Sequence, residues 1–175
     1  MASRTLIVMS DSHGDREIVK KIKDYYQGKV DAIFHNGDSE LSSSDDIWSG
    51  IYVVGGNCDH DSGYPNNLVA KFSDLTVAQT HGHLYNINFT WDGLEHFAQL
   101  EDADICLYGH QHRPAAWKEG KTLFINPGSV SQPRGEIREK LYAKVVVSDH
   151  KIKVDYYTRQ HDLYPQLSKR SEEHT

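Results

Sequence analysis

Five short clusters of metal-binding residue types recur along the 175-residue sequence. In chain order they are D-S-H at 11–13, H-N-G-D at 35–38, G-N-C-D at 56–59, H-G-H at 81–83 and G-H-Q-H at 109–112. Mixed imidazole, carboxylate and amide donors suit Mn, Fe, Zn, Ni or Co, and the lack of a thiolate cluster argues against a structural zinc site. One cluster alone has an ordinary interpretation, because aspartate favours turns and histidine is often a polar surface residue. Five in succession favour a metal centre.

Each cluster follows a short apolar run of the kind that forms a buried strand. Six such runs lie at residues 5–9, 31–34, 51–54, 75–78, 105–108 and 122–125. Between the first two, Ile18, Val19 and Ile22 share one helical face, which predicts a βαβ unit whose helix starts after Asp15 and ends near Gly28. Ligand sites in open α/β sheets lie outside the carboxyl ends of the strands, so we expect the clusters to converge.

The rest of the chain predicts a helix at residues 91–102 and an antiparallel hairpin at residues 141–157. An α/β beginning is therefore followed by a more purely β end, and no linker rich in Pro, Gly or Ser separates the two. We expect an α/β protein with a single domain over residues 1–165 and a flexible C-terminal tail over residues 166–175.

Composition narrows the classes of function. No segment approaches the ~20 apolar residues of a membrane span, no signal peptide is recognised, and two cysteines suggest no disulfide framework, so we expect a cytoplasmic protein. The net charge of −6 and the scattered basic residues disfavour dedicated nucleic-acid binding. We expect Trp48, Trp91 and Trp117 to be exposed, which leaves room for a homodimer.

The five clusters, read as D-x-H, G-D, G-N-x-D, H-G-H and G-H-x-H, resemble in type and order the motifs of the calcineurin-like metallophosphoesterases. The resemblance extends from Asp11 to Gly135. The short chain, the G-N-C-D form and the segment NPGSVSQPRG at 126–135 look closest to the small bacterial and archaeal phosphodiesterases of that superfamily. The resemblance implies two mixed β-sheets packed as a sandwich and flanked by helices, an αββα architecture.

The resemblance also implies a centre of two divalent transition-metal ions. Carried over by motif, one ion would be held by Asp11, His13 and His112, the other by Asn57, His81 and His110, and Asp38 would bridge the two. Manganese is the expected metal, with Ni, Fe, Zn and Co as alternatives. Such a centre would activate a hydroxide to hydrolyse small phosphate esters.

We expect Asp38, Asn57 and His83 to be catalytic, and Asn57 and Arg134 to bind substrate. A guanidinium at Arg134 could bind a phosphate oxygen bidentately, whereas the rest of its Pro- and Gly-containing segment is interpreted as a rigid turn.

Cys58 departs from the wider superfamily, in which many members have histidine directly after the motif asparagine. A thiol is a weak hydrogen-bond donor, so we interpret Cys58 as a small buried apolar group rather than a catalytic one. Either His83, His35 or His60 protonates the leaving group, or the enzyme depends on metal and prefers good leaving groups.

The leading hypothesis is therefore a metal-dependent phosphodiesterase. The alternatives are a phosphomonoesterase or nucleotidase, since two metals do not select between mono- and diesters, and a binding scaffold resembling the small subunit of the retromer coat. All seven motif ligands are of the expected type, which favours an enzyme over a metal-free scaffold. A nuclease is disfavoured by the small size and the negative charge.

Overall fold

Two mixed β-sheets form the centre of the protein in a computed structural model that describes residues 3–149 and 151–172. The first sheet has the order β11-β10-β9-β1-β2-β3 and comprises β1 (Arg4–Met9), β2 (Ala32–His35), β3 (Tyr52–Val53), β9 (Leu141–Ser148), β10 (Lys151–Thr158) and β11 (Leu163–Glu172). The second has the order β4-β5-β6-β8-β7 and comprises β4 (Asn67–Phe72), β5 (Leu75–Thr80), β6 (Ile105–Leu107), β7 (Pro114–Glu119) and β8 (Thr122–Pro127).

The helices α1 (Arg16–Tyr26) and α2 (Asp92–Leu100) cover the outer faces of the two sheets. Successive strand residues point to opposite faces, so β1 supplies Leu6 and Val8 to the core between the sheets and Ile7 and Met9 to the core beneath α1. The core beneath α2 contains Cys106. The predicted sandwich of two mixed sheets flanked by helices is confirmed.

The first βαβ unit is formed by β1, α1 and β2, with β1 and β2 parallel. The Asp15 carboxylate accepts a hydrogen bond from the Ile18 N–H at 3.2 Å and so caps the start of α1. The predicted Gly28 lies just beyond the end of the helix, with a φ of 81° that a glycine adopts without strain. This unit brings the Asp11 loop and the Asp38 loop to the same edge of the sheet.

Three strands do not appear among the predicted elements: β4, β7 and β11. Each lies at a sheet edge, where main-chain hydrogen bonds to one neighbour hold the strand and its sequence pattern is weak. The flexible tail expected over residues 166–175 is wrong up to Glu172, because β11 pairs there with β10. Residues 173–175 lie outside the described part of the chain.

The exposure expected for the three tryptophans is also wrong. Trp48 is 8% exposed and its indole N–H donates to the Ser42 carbonyl and the Tyr64 hydroxyl. Trp91 and Trp117 are partly buried, with ring centroids 4.8 Å apart. Packing of apolar rings against neighbouring elements removes these side chains from the surface. No helix in the described residues is long and apolar enough to cross a membrane.

Candidate metal centre

The loops after β1, β2, β5 and β6 bring six of the predicted ligands into two groups. Ligand atoms of Asp11, His13 and His112, here called the first donor group, all lie within 4.8 Å of one another. The second donor group has the same spacing and consists of Asp38, His81 and His110. By distance Asp38 belongs with His81 and His110, whereas the motifs place it between the two ions.

Short distances between ligand atoms run through both groups. In the first, His112 Nε2 lies 3.2 Å from Asp11 Oδ1 and 3.1 Å from His13 Nε2. In the second, His81 Nε2 lies 3.2 Å from Asp38 Oδ2, and the same nitrogen is 3.7 Å from Asp11 Oδ1. The two groups therefore form one continuous cluster of donors.

Three of these histidines are turned so that Nε2 faces the cluster. The Nδ1 of His13 lies 2.7 Å from the Glu40 carboxylate, that of His81 lies 2.8 Å from the Asn36 carbonyl, and that of His112 lies 2.6 Å from the Gln132 carbonyl. Those oxygens can only accept a hydrogen bond, so each Nδ1 carries the proton and donates it. When Nε2 is deprotonated, each ring offers its lone pair toward the cluster, as a metal ligand requires.

Two buried ligand atoms have no hydrogen-bond partner of acceptable geometry within the described residues: Asp11 Oδ1 and His81 Nε2. Both residues have 0% exposure. A buried polar atom without a partner is costly, and more so for a carboxylate. A cation between these atoms would satisfy both, so this donor set fits divalent transition metals.

The backbone at these loops adopts an unusual conformation. Five of the six grouped donors have positive φ without being glycine: Asp11 (56°), His13 (44°), Asp38 (57°), His110 (74°) and His112 (58°). A non-glycine residue in this region costs about 1–3 kcal/mol and persists only where surrounding contacts impose it. Such strain is typical of functional sites, and it aims these side chains at a common point.

Two motif glycines make room for the carboxylates. A Cβ added to Gly109 would lie 2.7 Å from Asp11 Oδ2, and one added to Gly56 would clash with Asp38 Oδ1. Real Cβ atoms essentially never approach so closely. The glycines in G-N-C-D and G-H-Q-H are therefore needed because backbone must pass directly beside the two aspartates.

Asp59 joins the second and third loops, a role that the motif did not reveal. Its Oδ2 accepts hydrogen bonds from the Asp38 N–H at 2.7 Å and the Gly56 N–H at 2.8 Å, and its Oδ1 accepts from the Glu40 N–H at 2.7 Å. The carboxylate thus stabilises both the loop of Asp38 and that of Glu40, which orients His13.

The segment NPGSVSQPRG holds the first and last loops together. Ser129 donates from Oγ to the Asp11 carbonyl at 2.7 Å, and Asn126 donates from its amide to the Gly109 carbonyl at 3.2 Å. Together with the Gln132 carbonyl on His112, these bonds show why the turn is needed: it fixes two loops distant in sequence.

Charge at the cluster shifts the pKa values of its members. Burial would raise the pKa of Asp38, but the nearby His81, 3.2 Å away, and the Cys58 N–H hold it well below its usual range. Burial would lower the pKa of His81, yet Asp11 and Asp38 raise it to about 9. The paired aspartates thus create a negative field that attracts a proton or a cation.

The remaining predicted site residues lie around this cluster. Asn57 is exposed, with its amide nitrogen 3.7 Å from Cys58 Sγ. His83 is partly buried, with its ring centroid 5.4 Å from that of His81. Arg134 is exposed, and its N–H donates to the His112 carbonyl at 3.0 Å. The structure therefore places His83 and Arg134 beside donors without making either one a member of a group.

Cys58 does not behave as the buried apolar group that was expected. It is only partly buried, its Sγ belongs to a group with His13 and Asp38 within 4.8 Å, and its N–H donates to Asp38 Oδ1 at 2.8 Å. Burial and the Asp38 charge raise the pKa of the thiol to about 11. The side chain is therefore a neutral thiol at the edge of the donor cluster.

Of the three histidines considered as proton donors, the structure excludes His35. It is completely buried; its Nδ1 accepts from the Gly37 N–H at 3.1 Å and its Nε2 lies 2.9 Å from the Ser12 hydroxyl. Both nitrogens are therefore used inside the protein. His60 is exposed, and His83 lies nearest to the donors.

Two mixed sheets with clustered Asp and His donors at their strand ends define a fold and site of the metallophosphoesterase class. The profile of the calcineurin-like phosphoesterase superfamily domain matches residues 5–150, and the chain belongs to this superfamily. A crystal structure of a predicted phosphoesterase from Streptococcus pneumoniae is 57% identical, with a TM-score of 0.97, and the match covers 98% of this chain and 99% of that one.

Two curated relatives are similar in sequence. The probable metallophosphoesterase YsnB of Bacillus subtilis is 32% identical over 152 residues, which cover 87% of this chain and 89% of YsnB. The phosphodiesterase YfcE of Escherichia coli is 33% identical over 95 residues, which cover 49% of this chain and 47% of YfcE. The first similarity extends over most of both proteins, whereas the second covers about half of each.

Proposed function

We propose that this phosphoesterase is a metal-dependent phosphodiesterase that hydrolyses small phosphate esters. The observation that carries the proposal is a pair of buried ligand atoms, Asp11 Oδ1 and His81 Nε2, which have no hydrogen-bond partner within the described residues and lie beside imidazoles whose Nε2 atoms face the same cluster. An intact donor set favours an enzyme over a metal-free scaffold. The similarity to a relative named as a phosphodiesterase supports a diester rather than a monoester.

The proposed ligands are the seven motif residues. Asp11, His13 and His112 would hold one ion, His81 and His110 with Asn57 would hold the other, and Asp38 would lie between the ions. Asn57 would have to turn its amide oxygen from its exposed position toward the second donor group. Manganese is the metal we propose, and Ni, Fe, Zn and Co have compatible donor preferences.

Hydrolysis adds the oxygen of water to phosphorus, breaks the bond to the leaving oxygen and requires a proton for that oxygen. Two divalent ions, when bound, would lower the pKa of water toward neutrality and offset charge on the phosphate. Two aspartates and neutral histidines would leave the loaded centre with a net positive charge, which attracts a phosphodiester monoanion. His83, with its ring centroid 5.4 Å from that of His81, is the proposed additional proton-carrying group, and Asn57 and Arg134 are the proposed substrate contacts.

The proposed location is the cytoplasm, supported by Cys58 and Cys106, which are both free thiols. We also propose a homodimer, although the tryptophans are buried or partly buried. Other large apolar side chains are exposed, including Phe89 at 89% and Leu100 at 70%, and these support it instead.

The test is a hydrolysis screen of phosphate mono- and diesters with metal-free protein reconstituted with Mn²⁺. Asp38→Ala should lower kcat/KM on the order of 10³-fold, because metal centres supply several kcal/mol of transition-state stabilisation. Asp24→Ala, an exposed position on α1, is the control and should remain active. Circular dichroism would verify that both variants fold. Equal activity of wild type and Asp38→Ala would contradict the proposed centre.

A further inference from the structure

Two arginines beside the metal centre have no acidic partner. Arg4, Arg16 and Arg159 each bind an aspartate at 2.8 Å. For Arg113 and Arg134, no ion pair and no side-chain hydrogen bond occurs within residues 3–149 and 151–172. In a chain of net charge −6, with 25 acidic residues against 19 basic ones, these two guanidiniums form a local excess of positive charge.

These arginines line the same pocket, which has a volume of about 480 Å³. Its walls are Arg113, Pro114, Arg134, Gly135, Glu136 and Ile137. The Arg113 side chain lies against the backbone of Gly135, since a Cβ added there would be 3.0 Å from Arg113 Nε. The glycine therefore allows the two loops to approach closely enough to form the pocket.

The pocket adjoins the first donor group through His112. Arg113 follows His112 directly in the sequence, and the Arg134 N–H donates to the His112 carbonyl at 3.0 Å. The turn that carries Arg134 also provides the Gln132 carbonyl, 2.6 Å from His112 Nδ1. The same loops thus carry a proposed metal donor and both arginines, so the pocket shares its backbone with the first donor group.

We propose that this pocket binds a second phosphate group of the substrate, so that the preferred diesters carry a phosphate monoester in addition to the scissile bond. The inference rests on the proposed phosphodiesterase function. Two arginines against the single Glu136 give the pocket a net positive charge, and guanidinium matches the geometry of phosphate oxygens bidentately. A phosphate monoester, close to a dianion at neutral pH, would use both arginines, whereas an uncharged substituent would use neither.

A matched pair of substrates tests the proposal. The p-nitrophenyl ester of thymidine 5′-phosphate, with and without a 3′-phosphate, keeps the same leaving group and nucleoside and changes only the second anionic group. For wild type, kcat/KM should be about tenfold higher with the 3′-phosphate, the size expected for one charge-assisted contact at an exposed site. Arg113→Gln and Arg134→Gln should each reduce this ratio toward one.

Two further variants should raise this kcat/KM ratio or leave it unchanged. Glu136→Gln removes the only acidic group of the pocket and should increase the ratio. Arg138→Gln changes an exposed arginine that does not line the pocket and should leave it unchanged. A wild-type ratio near one, or an equal loss in Arg138→Gln and Arg113→Gln, would overturn the proposal.

A binding measurement separates this inference from the proposed function. Metal-free protein would be titrated with thymidine 3′,5′-bisphosphate, thymidine and inorganic phosphate. If the bisphosphate binds more tightly than phosphate, and Arg113→Gln weakens its binding, the pocket is a subsite that recognises the second phosphate group of the substrate. Equal binding of bisphosphate and free phosphate would reduce the pocket to a site for any anion and overturn the inference. Absence of hydrolysis of either ester would contradict only the catalytic function, because the titration still reports on the pocket.

Discussion

The two donor groups are built from the same residue types but differ in how firmly they are held. In the first, Glu40 and the Gln132 carbonyl fix the rings of His13 and His112 through Nδ1. In the second, His81 is fixed in the same way, but the only hydrogen bond found for the His110 ring in the described residues is a 3.5 Å contact with Asn88. Asn57, the remaining proposed ligand, is exposed.

The first group is therefore preorganised, whereas the proposed second group would become complete only when the side chains of His110 and Asn57 adjust. Ligands already held in the binding geometry lose little conformational entropy when an ion binds. We therefore expect an ion at the first group to bind more tightly than an ion at the second.

The largest effect should come from removing a preorganised ligand. His112→Ala should weaken binding of the first Mn²⁺ by more than ~100-fold, since even outer-shell partners of ligands contribute ~10–100-fold. His110→Ala should mainly weaken binding of the second ion. Isothermal titration of metal-free protein with Mn²⁺ measures both events, and an equal loss of first-ion affinity in the two variants would show that the groups do not differ as described.

A substitution of Cys58, beside His13 and Asp38, should change kcat/KM by nearly as large a factor. Because its neutral thiol is a weak donor, we expect rates on aryl phosphodiesters to fall steeply as the pKa of the leaving group rises. Cys58→His should raise kcat/KM for poor leaving groups by on the order of 10²-fold, the lower end of general-acid contributions, and flatten this dependence. Cys58→Ala is the control. A flat dependence in wild type, under conditions in which chemistry limits the rate, would mean that a competent acid such as His83 is already present.

Loss of the carboxylate that orients His13 should have a smaller effect. Glu40→Gln keeps the size of the side chain but weakens the charge-assisted bond to Nδ1, so first-ion affinity should fall ~10–100-fold. Glu139→Gln, at an exposed position, should leave it unchanged. Mn²⁺ titration again reports the result. Unchanged affinity in Glu40→Gln would show that the ring of His13 is positioned by packing alone.

The smallest effect concerns folding stability and the buried His35 behind the first donor group. Its ring forms hydrogen bonds with the Ser12 hydroxyl and the Gly37 N–H. Burial lowers the pKa of His35 to about 4, against ~6.5 in the unfolded chain. The unfolded state therefore takes up a proton first as pH falls below 6.5, and folding stability is lost until the folded pKa is reached. Metal-free wild type should lose about 1–2 kcal/mol more unfolding free energy between pH 7.5 and pH 5 than His35→Gln does.

Urea unfolding of both proteins in the presence of chelator at the two pH values measures this difference. His96→Gln, at an exposed position on α2, should behave as wild type. If His35→Gln lost as much stability as wild type, the buried neutral imidazole would not be the source of the acid sensitivity.

The order of strands and clusters made the main features of this protein predictable. The continuous apolar run of β1 and the helical stripe of α1 indicated a βαβ unit, because these patterns reflect which side chains can be buried. The edge strands β4, β7 and β11 were missed since their stability comes from main-chain pairing with a neighbour, which leaves little trace in residue type. Trp48 was placed at the surface for a similar reason: its burial depends on Tyr64 and on the loop of Ser42.

For the site, residue types alone determined which side chains could bind metal, and strand ends determined that they would meet. Only the tertiary structure decided the orientation of each donor. The positive φ of Asp11 and Asp38, the Nδ1 contacts that turn Nε2 inward, and the meeting of Arg113 with Arg134 all depend on contacts between loops far apart in the chain. The chemistry of a side chain follows from its residue type. Its orientation also depends on contacts with a second segment of the chain, which the residue type does not reveal.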